Sequence, residues 1–233
     1  MGIYVGDKRY APYIGDKRRE VRNKKALPYD AEVEYLETTG TTGFFIGSGI
    51  TTNSNTSSIE MQMKAQFLST TARQIFGAED RFYMGVNNGA WETDYRASYG
   101  TADTDVHTFA KRGVKSATMI YVYIDEVQVY NYNANISGSS IRYQLGIFNY
   151  KKGQNLGLHC KFYWEKIYKD DVLVRDYVPV RIGNVGYLYD KVSQTLYANE
   201  DTGTFILGPD KIGGGKYLII NMLCGYSVER RAA

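Results

Sequence analysis

Between residues 58 and 67 the chain alternates without exception. Ile59, Met61, Met63, Ala65 and Phe67 share one parity, and Glu60, Gln62, Lys64 and Gln66 share the other. A period of two sends successive side chains to opposite faces of a strand, so this stretch has one dry and one wet face and cannot form an amphipathic helix. A strand of this kind is unstable alone and needs paired neighbours with a common apolar face. The neighbours are legible as short runs at the same spacing, at residues 33–36, 44–46, 74–77, 81–86, 93–99, 106–110, 117–124, 126–130, 142–149, 158–170, 172–180, 186–190, 195–198 and 204–207. Turn residues separate them, and no window of eleven residues has helical spacing. The expected fold is all-β, a two-sheet antiparallel jelly-roll sandwich.

Composition supports this reading. The chain has 22 Tyr against 9 Phe and 2 Trp, and 24 Gly against 4 Pro. Tyr packs on a pleated surface while keeping a polar tip in water, which suits sheets and adaptable contact surfaces. Cys160 and Cys224 are too few for a disulfide framework and form no metal-type pair, so two isolated buried thiols are expected. The first residues lack the apolar core of a secretory signal, and the longest apolar stretch, 217–224, is too short to span a bilayer. Synthesis and assembly in a cytoplasm are expected, with no membrane partner.

Both ends depart from the sandwich. Tyr4-Val5-Gly6-Asp7-Lys8-Arg9 is nearly repeated as Tyr13-Ile14-Gly15-Asp16-Lys17-Arg18. A repeat this short cannot bury its own core, so residues 1–30 are expected to form a β-hairpin-like arm that packs on another body. Residues 1–25 carry eight Lys/Arg and three acids, a net +5, against −2 for the remainder. Such asymmetry fits an acidic protein groove, an anionic surface or plain solvation; no motif for base readout accompanies it. After residue 210, Gly213-Gly214-Gly215 tethers an apolar run beginning Tyr217-Leu218-Ile219-Ile220. Left bare, that strand would be an edge-pairing hazard, so residues 211–233 are expected to be a strand tail paired within the chain or with a second copy. The domains are thus 1–30, 31–210 and 211–233.

Several segments are similar to a known module. Residues 33–50, Val-Glu-Tyr-Leu-Glu-Thr-Thr-Gly-Thr-Thr-Gly-Phe-Phe-Ile-Gly-Ser-Gly-Ile, resemble the opening of laminin-G-like, concanavalin-A-like jelly rolls common in tailed-phage structural proteins. Gln74-Ile75-Phe76-Gly77-Ala78, Leu145-Gly146-Ile147-Phe148-Asn149, Lys166-Ile167-Tyr168, Leu173-Val174-Arg175-Asp176-Tyr177-Val178-Pro179-Val180, Val185-Gly186-Tyr187-Leu188-Tyr189-Asp190 and Gly203-Thr204-Phe205 resemble later strands of that module. The opening repeat is similar to short arms of virion proteins from phages of gut Bacteroides, including crAss-like phages. Together the resemblances imply a virion head-fibre, tail or decoration protein, anchored to other virion proteins by Tyr4, Gly6, Asp7, Lys8, Arg9, Tyr13, Gly15, Asp16, Lys17 and Arg18. A homo-oligomer is expected, with a trimer as the starting assumption from phage fibres and Tyr217 to Ile220 as contact residues.

Relatives of this fold include glycoside hydrolases, which usually present three acids at alternate positions of one strand. Glu32, Glu34 and Glu37 miss that spacing and Asp125 and Glu126 are adjacent, so no enzyme is expected. Asp103 and Asp105 could offer oxygens to calcium or simply form a solvated turn; no other cofactor and no zinc site is expected, since His107 and His159 lack partners at ligand spacing. For a glycan on a host surface or mucosa, the best stretch is 87–96, with Trp91, Asp94, Tyr95 and Arg96 as the contact set. The alternative reading makes Trp91 and Tyr95 packed sheet residues.

Overall fold

The computed structural model describes residues 3–5, 8–10, 27–51, 57–78, 82–93, 97–114, 119–133, 144–149, 152–153 and 158–211, and among them all regular structure is β. The arm begins with β1 (Ile3–Val5) and β2 (Lys8–Tyr10), an antiparallel hairpin pairing Ile3 with Tyr10 and Val5 with Lys8. The second copy of the repeat and the tail from residue 212 onward lie outside the described residues, as do Tyr13, Gly15, Asp16, Lys17, Arg18 and Tyr217 to Ile220.

The body consists of β3 (Ala31–Glu32), β4 (Leu36–Glu37), β5 (Ile46–Thr51), β6 (Ile59–Phe67), β7 (Ala72–Gly77), β8 (Met84–Asn87), β9 (Ala90–Thr93), β10 (Ala97–Thr101), β11 (Val106–Gly113), β12 (Met119–Ile124), β13 (Val127–Asn133), β14 (Gln144–Ile147), β15 (Cys160–Lys169), β16 (Val172–Ile182), β17 (Val185–Asp190), β18 (Thr195–Tyr197) and β19 (Ile206–Leu207). Six strands form one sheet in the order β10-β9-β8-β7-β14-β5. The larger sheet runs β13-β12-β11-β6-β15-β16-β17-β18, with β3 beside β16 and β4 bridging β15 and β19. Pairing is antiparallel throughout, and the two sheets stack as a sandwich.

The alternation of β6 is reproduced to the residue: every odd position from Ile59 to Phe67 is buried and every even one is half-exposed. Phe67 meets Trp91 of the opposite sheet at 5.6 Å, and Phe148 meets Phe162 at 5.1 Å, so aromatic rings stitch the two layers together. Each such ring contributes about 1.5–3 kcal/mol by leaving water. The run expected as one strand at 93–99 is two: β9 ends at Thr93 and β10 begins at Ala97, and the two pair with each other. Gly77, in the run 74–78, sits at φ +146 with its α-carbon against Tyr83, a place where no side chain fits.

One irregularity decides which residues of β15 face outward. Phe162 pairs with Ala65 and Trp164 with Lys64, so a bulge inserts Tyr163 and shifts the alternation. Cys160 and Phe162 point inward before it; Glu165 and Ile167 point inward after it. A uniform alternation would instead group Glu165 with Lys161 and Tyr163.

The outer face of the large sheet is unevenly covered. Over β16 and β17 the segment before β3 lies across it, where Tyr29 packs edge-on to Tyr189 at 5.0 Å above Val178 and Val180. Over β12, β11, β6 and β15 the polar parity of each strand remains accessible.

Candidate functional site

The accessible part of the outer face holds a groove of about 390 Å³, lined by Glu60, Gln62, Thr108, Ala110, Arg112, Tyr123, Glu126 and Trp164. Its shape follows from strand register. Ala110 stands opposite Tyr123 on one side and Gln62 on the other, so a methyl group forms a low floor between longer side chains. Tyr123 rises from β12, and Trp164 is half-exposed on β15, at the position the bulge delivers to this face. The volume lies at the lower end of small-ligand sites.

Polar groups converge on the same floor. Gln62 Nε2 donates to Glu60 Oε1 at 2.6 Å, and Arg112 reaches Asp171 at 3.0 Å and Glu60 at 3.7 Å. Lys166 lies over the ring of Trp164, which lines the groove, at 5.7 Å; beyond the lining, Lys64 lies over Tyr163 at 5.9 Å and Lys161 over Tyr35 at 4.7 Å. These exposed cation–aromatic contacts are weak, about 0.5–1 kcal/mol each, and readily exchanged for a ligand. Aromatic faces beside amide, carboxylate and guanidinium groups can stack on the C–H face of a sugar ring while bonding its hydroxyls.

Beneath one end of the groove, His107 bridges two acids. Its Nε2 is 2.8 Å from Asp103 Oδ1 and its Nδ1 is 2.6 Å from Asp125 Oδ2. Burial alone draws the imidazole pKa down, but hydrogen bonds to Asp125 and then Asp103 outweigh it and hold the pKa above the ordinary histidine value. The Asp103 carboxyl is lowered, chiefly by the Asp105 N–H. Asp125 is also lowered: burial acts against this, but the Thr108 N–H and His107 prevail.

The residues expected from sequence fall elsewhere. Trp91 is 5% exposed and enclosed by Phe109 at 5.2 Å, Phe67 at 5.6 Å and His107 at 5.7 Å. Its ring therefore offers no face for a sugar, and the packed-residue reading of Trp91 is the correct one. Asp94, Tyr95 and Arg96 lie outside the described residues. Tyr4, Lys8 and Arg9 belong to the hairpin, whereas Gly6 and Asp7 lie outside the described set. Asp103 Oδ1 accepts the Asp105 N–H at 2.8 Å and is shared with His107 Nε2 at 2.8 Å, so this oxygen is engaged within the chain. Among the described residues no group of three or more His, Cys, Asp or Glu could hold a metal ion. Cys160 is fully buried, with burial pushing its thiol up to about 12; Cys224 is outside the described residues.

The groove residues were visible in sequence only as the wet parity of separate strands. Gln62, Ala110, Tyr123 and Trp164 come from four strands, and only the register and the β15 bulge join them.

No family model matches the chain, and no curated protein matches it by sequence. Among solved structures, it is similar to a proposed carbohydrate binding protein from Bacteroides ovatus ATCC 8483, with a TM-score of 0.55 and 10% sequence identity. The match covers 78% of this chain and 62% of the other, less than two thirds of that protein's length. At that identity the likeness is one of fold, a β sandwich of the jelly-roll kind.

Proposed function

We propose that the protein is a non-enzymatic carbohydrate-binding module that receives a glycan in the groove of the large sheet. The observation that carries this reading is the pairing of Tyr123 and Trp164 across an alanine floor, with Gln62, Glu60, Thr108, Arg112 and Glu126 around it. The similar fold of a proposed carbohydrate binding protein supports the choice.

A glycan array read with wild type, Trp164→Ala and Tyr123→Ala tests the proposal. Wild type should give discrete signals that fall at least about tenfold in Trp164→Ala, the loss of one stacking ring. A blank wild-type array, or signals unchanged in both variants, refutes the groove as a glycan site.

A second reading concerns attachment, and the β1–β2 hairpin favours it. The arm begins as a discrete hairpin, and its repeat is similar to those of phage virion proteins. In this reading the protein is a virion structural component, oligomeric and anchored through residues 1–25, that presents the sandwich to a host surface. Removing residues 1–25 should leave a folded sandwich that is no longer incorporated into particles; full incorporation of the truncated chain would refute the anchor.

A further inference from the structure

His107 immediately precedes Thr108 of the groove lining, yet its ring turns to the opposite side of the sheet, against Trp91 at 5.7 Å and Phe109 at 5.8 Å. Each ring nitrogen faces a carboxylate oxygen from a different segment, Asp103 before β11 and Asp125 after β12. A neutral imidazole has one N–H and one lone pair. It can serve only one of these acids, and would set its lone pair against the oxygen of the other. The imidazolium donates to both, so the geometry belongs to the charged ring.

Asp125 in turn organises the edge of the groove. Its Oδ1 accepts the Thr108 N–H at 2.8 Å, and its own N–H donates to Thr108 O at 2.8 Å. With Glu126 it forms the two-residue turn from β12 to β13, at φ +48 and +67, a left-handed conformation unfavourable for residues with a side chain. Such a turn persists only where its surroundings fix it. Glu126, the second residue, lines the groove.

We infer that His107, as the imidazolium, is a positioning residue for the outer-face groove: it clasps Asp103 and Asp125 together, fixes the Asp125–Glu126 turn, and couples glycan affinity to its own protonation. The inference rests on the carbohydrate reading of the groove. The charged groups facing the ring are Asp103 and Asp125; β9 contributes Trp91, β11 contributes Phe109, and β6 places Ala65 opposite. The ring is 16% exposed and the carboxylates 51% and 53%, so solvent moderates the pairing without dissolving it. The direction is fixed by the shifts. The clamp is complete above the lowered carboxylate values and below the raised histidine value, and opens as pH rises through the latter.

Two readouts on the whole chain test this. Amide hydrogen exchange at Thr108 and Asp125, corrected for intrinsic chemistry, is compared at about pH 6 and about pH 8.5 in wild type, His107→Gln and Asp103→Asn. Protection in wild type should fall about tenfold along the His107 titration followed by NMR. In Asp103→Asn that titration should shift downward with the aromatic packing intact, and in His107→Gln protection should be low at both pH values. The glycan array is then read at the same two pH values, and wild-type signals should weaken several-fold at the higher one. Protection that stays flat through the His107 titration overturns the clamp, whatever the array shows. A pH-dependent clamp with pH-independent array signals overturns the coupling. A blank array removes the carbohydrate reading and the coupling with it, and leaves the clamp to be judged on exchange.

Discussion

Glu165 and Asp190 occupy one row across the large sheet, from Glu165 on β15 through Tyr177 on β16 to Asp190 on β17. Both are fully buried acids. Asp190 is surrounded by donors: its Oδ1 accepts the N–H groups of Asp176 and Val192, its Oδ2 accepts Ser193 N–H and Ser193 Oγ–H, and Arg175 Nε lies 3.6 Å away. Glu165 has none, and both its oxygens lack a hydrogen-bond partner. Burial holds its carboxyl well above the usual carboxylate range, so the neutral acid is the form the core accepts. The contrast teaches that burial by itself says little about an acid's role: one carboxylate organises the turn after β17, and its neighbour is tolerated by the core.

The largest expected effect breaks the satisfied member. Asp190→Ala strands four donors, the Asp176 N–H on β16 and the Val192 N–H, Ser193 N–H and Ser193 Oγ–H of the turn after β17, around a fully buried acid. The loss should be about 3–5 kcal/mol, read as a lower urea midpoint at an unchanged slope. A loss below about 1 kcal/mol would mean that water replaces the side chain, and the contrast with Glu165 would collapse.

The unsatisfied member should respond with the opposite sign. Glu165→Met keeps the volume and removes the carboxyl, and should stabilise the protein by about 1–3 kcal/mol at neutral pH. The pH dependence follows from linkage. An acid whose folded pKa is raised binds more protons folded than unfolded, so its contribution is full below the unfolded value of about 4.3 and is lost as pH rises toward the folded value. Wild type should therefore lose stability relative to Glu165→Met by up to about 1.4 kcal/mol per pH unit above that point. Parallel stability curves for the two proteins from about pH 4 to 8 would show that Glu165 is not buried as a neutral acid.

This row also shows what was legible in the sequence. The two-sheet architecture was readable because period-two alternation states which parity is dry, and β6 obeys it at every position. The position of Glu165 was not readable, because the β15 bulge at Tyr163 exchanges the parities, and nothing in Phe162-Tyr163-Trp164-Glu165 announces it. The same bulge brings Trp164 to the groove, so one local irregularity hid both the buried acid and a wall of the candidate site. Trp91 misled for a complementary reason. Its neighbours Asn87, Asn88 and Glu92 are polar, but Glu92 is buried, accepting from Tyr83 Oη at 2.7 Å and Asn87 Nδ2 at 2.6 Å. At Asn87 and Glu92, local polarity thus marks an internal hydrogen-bond cluster.

The smallest effect tests the residue between the two acids. Tyr177 is fully buried, packs edge-on to Tyr197 at 5.3 Å, and its hydroxyl has no partner. Burial above all raises its pKa, so the phenol stays neutral across the accessible pH range. Tyr177→Phe keeps the ring and its packing and deletes only an unpaired polar atom, so stability should stay within about 1 kcal/mol of wild type and tend upward. Although Glu165 stands directly opposite on the adjacent strand, its carboxyl and the Tyr177 hydroxyl share no hydrogen bond, so the double variant Tyr177→Phe with Glu165→Met should be additive to within about 0.5 kcal/mol. Coupling above that would show the hydroxyl and the carboxyl bonding to one another in solution. Glu165 would then join Asp190 as a satisfied acid, and its predicted pH slope should weaken in step.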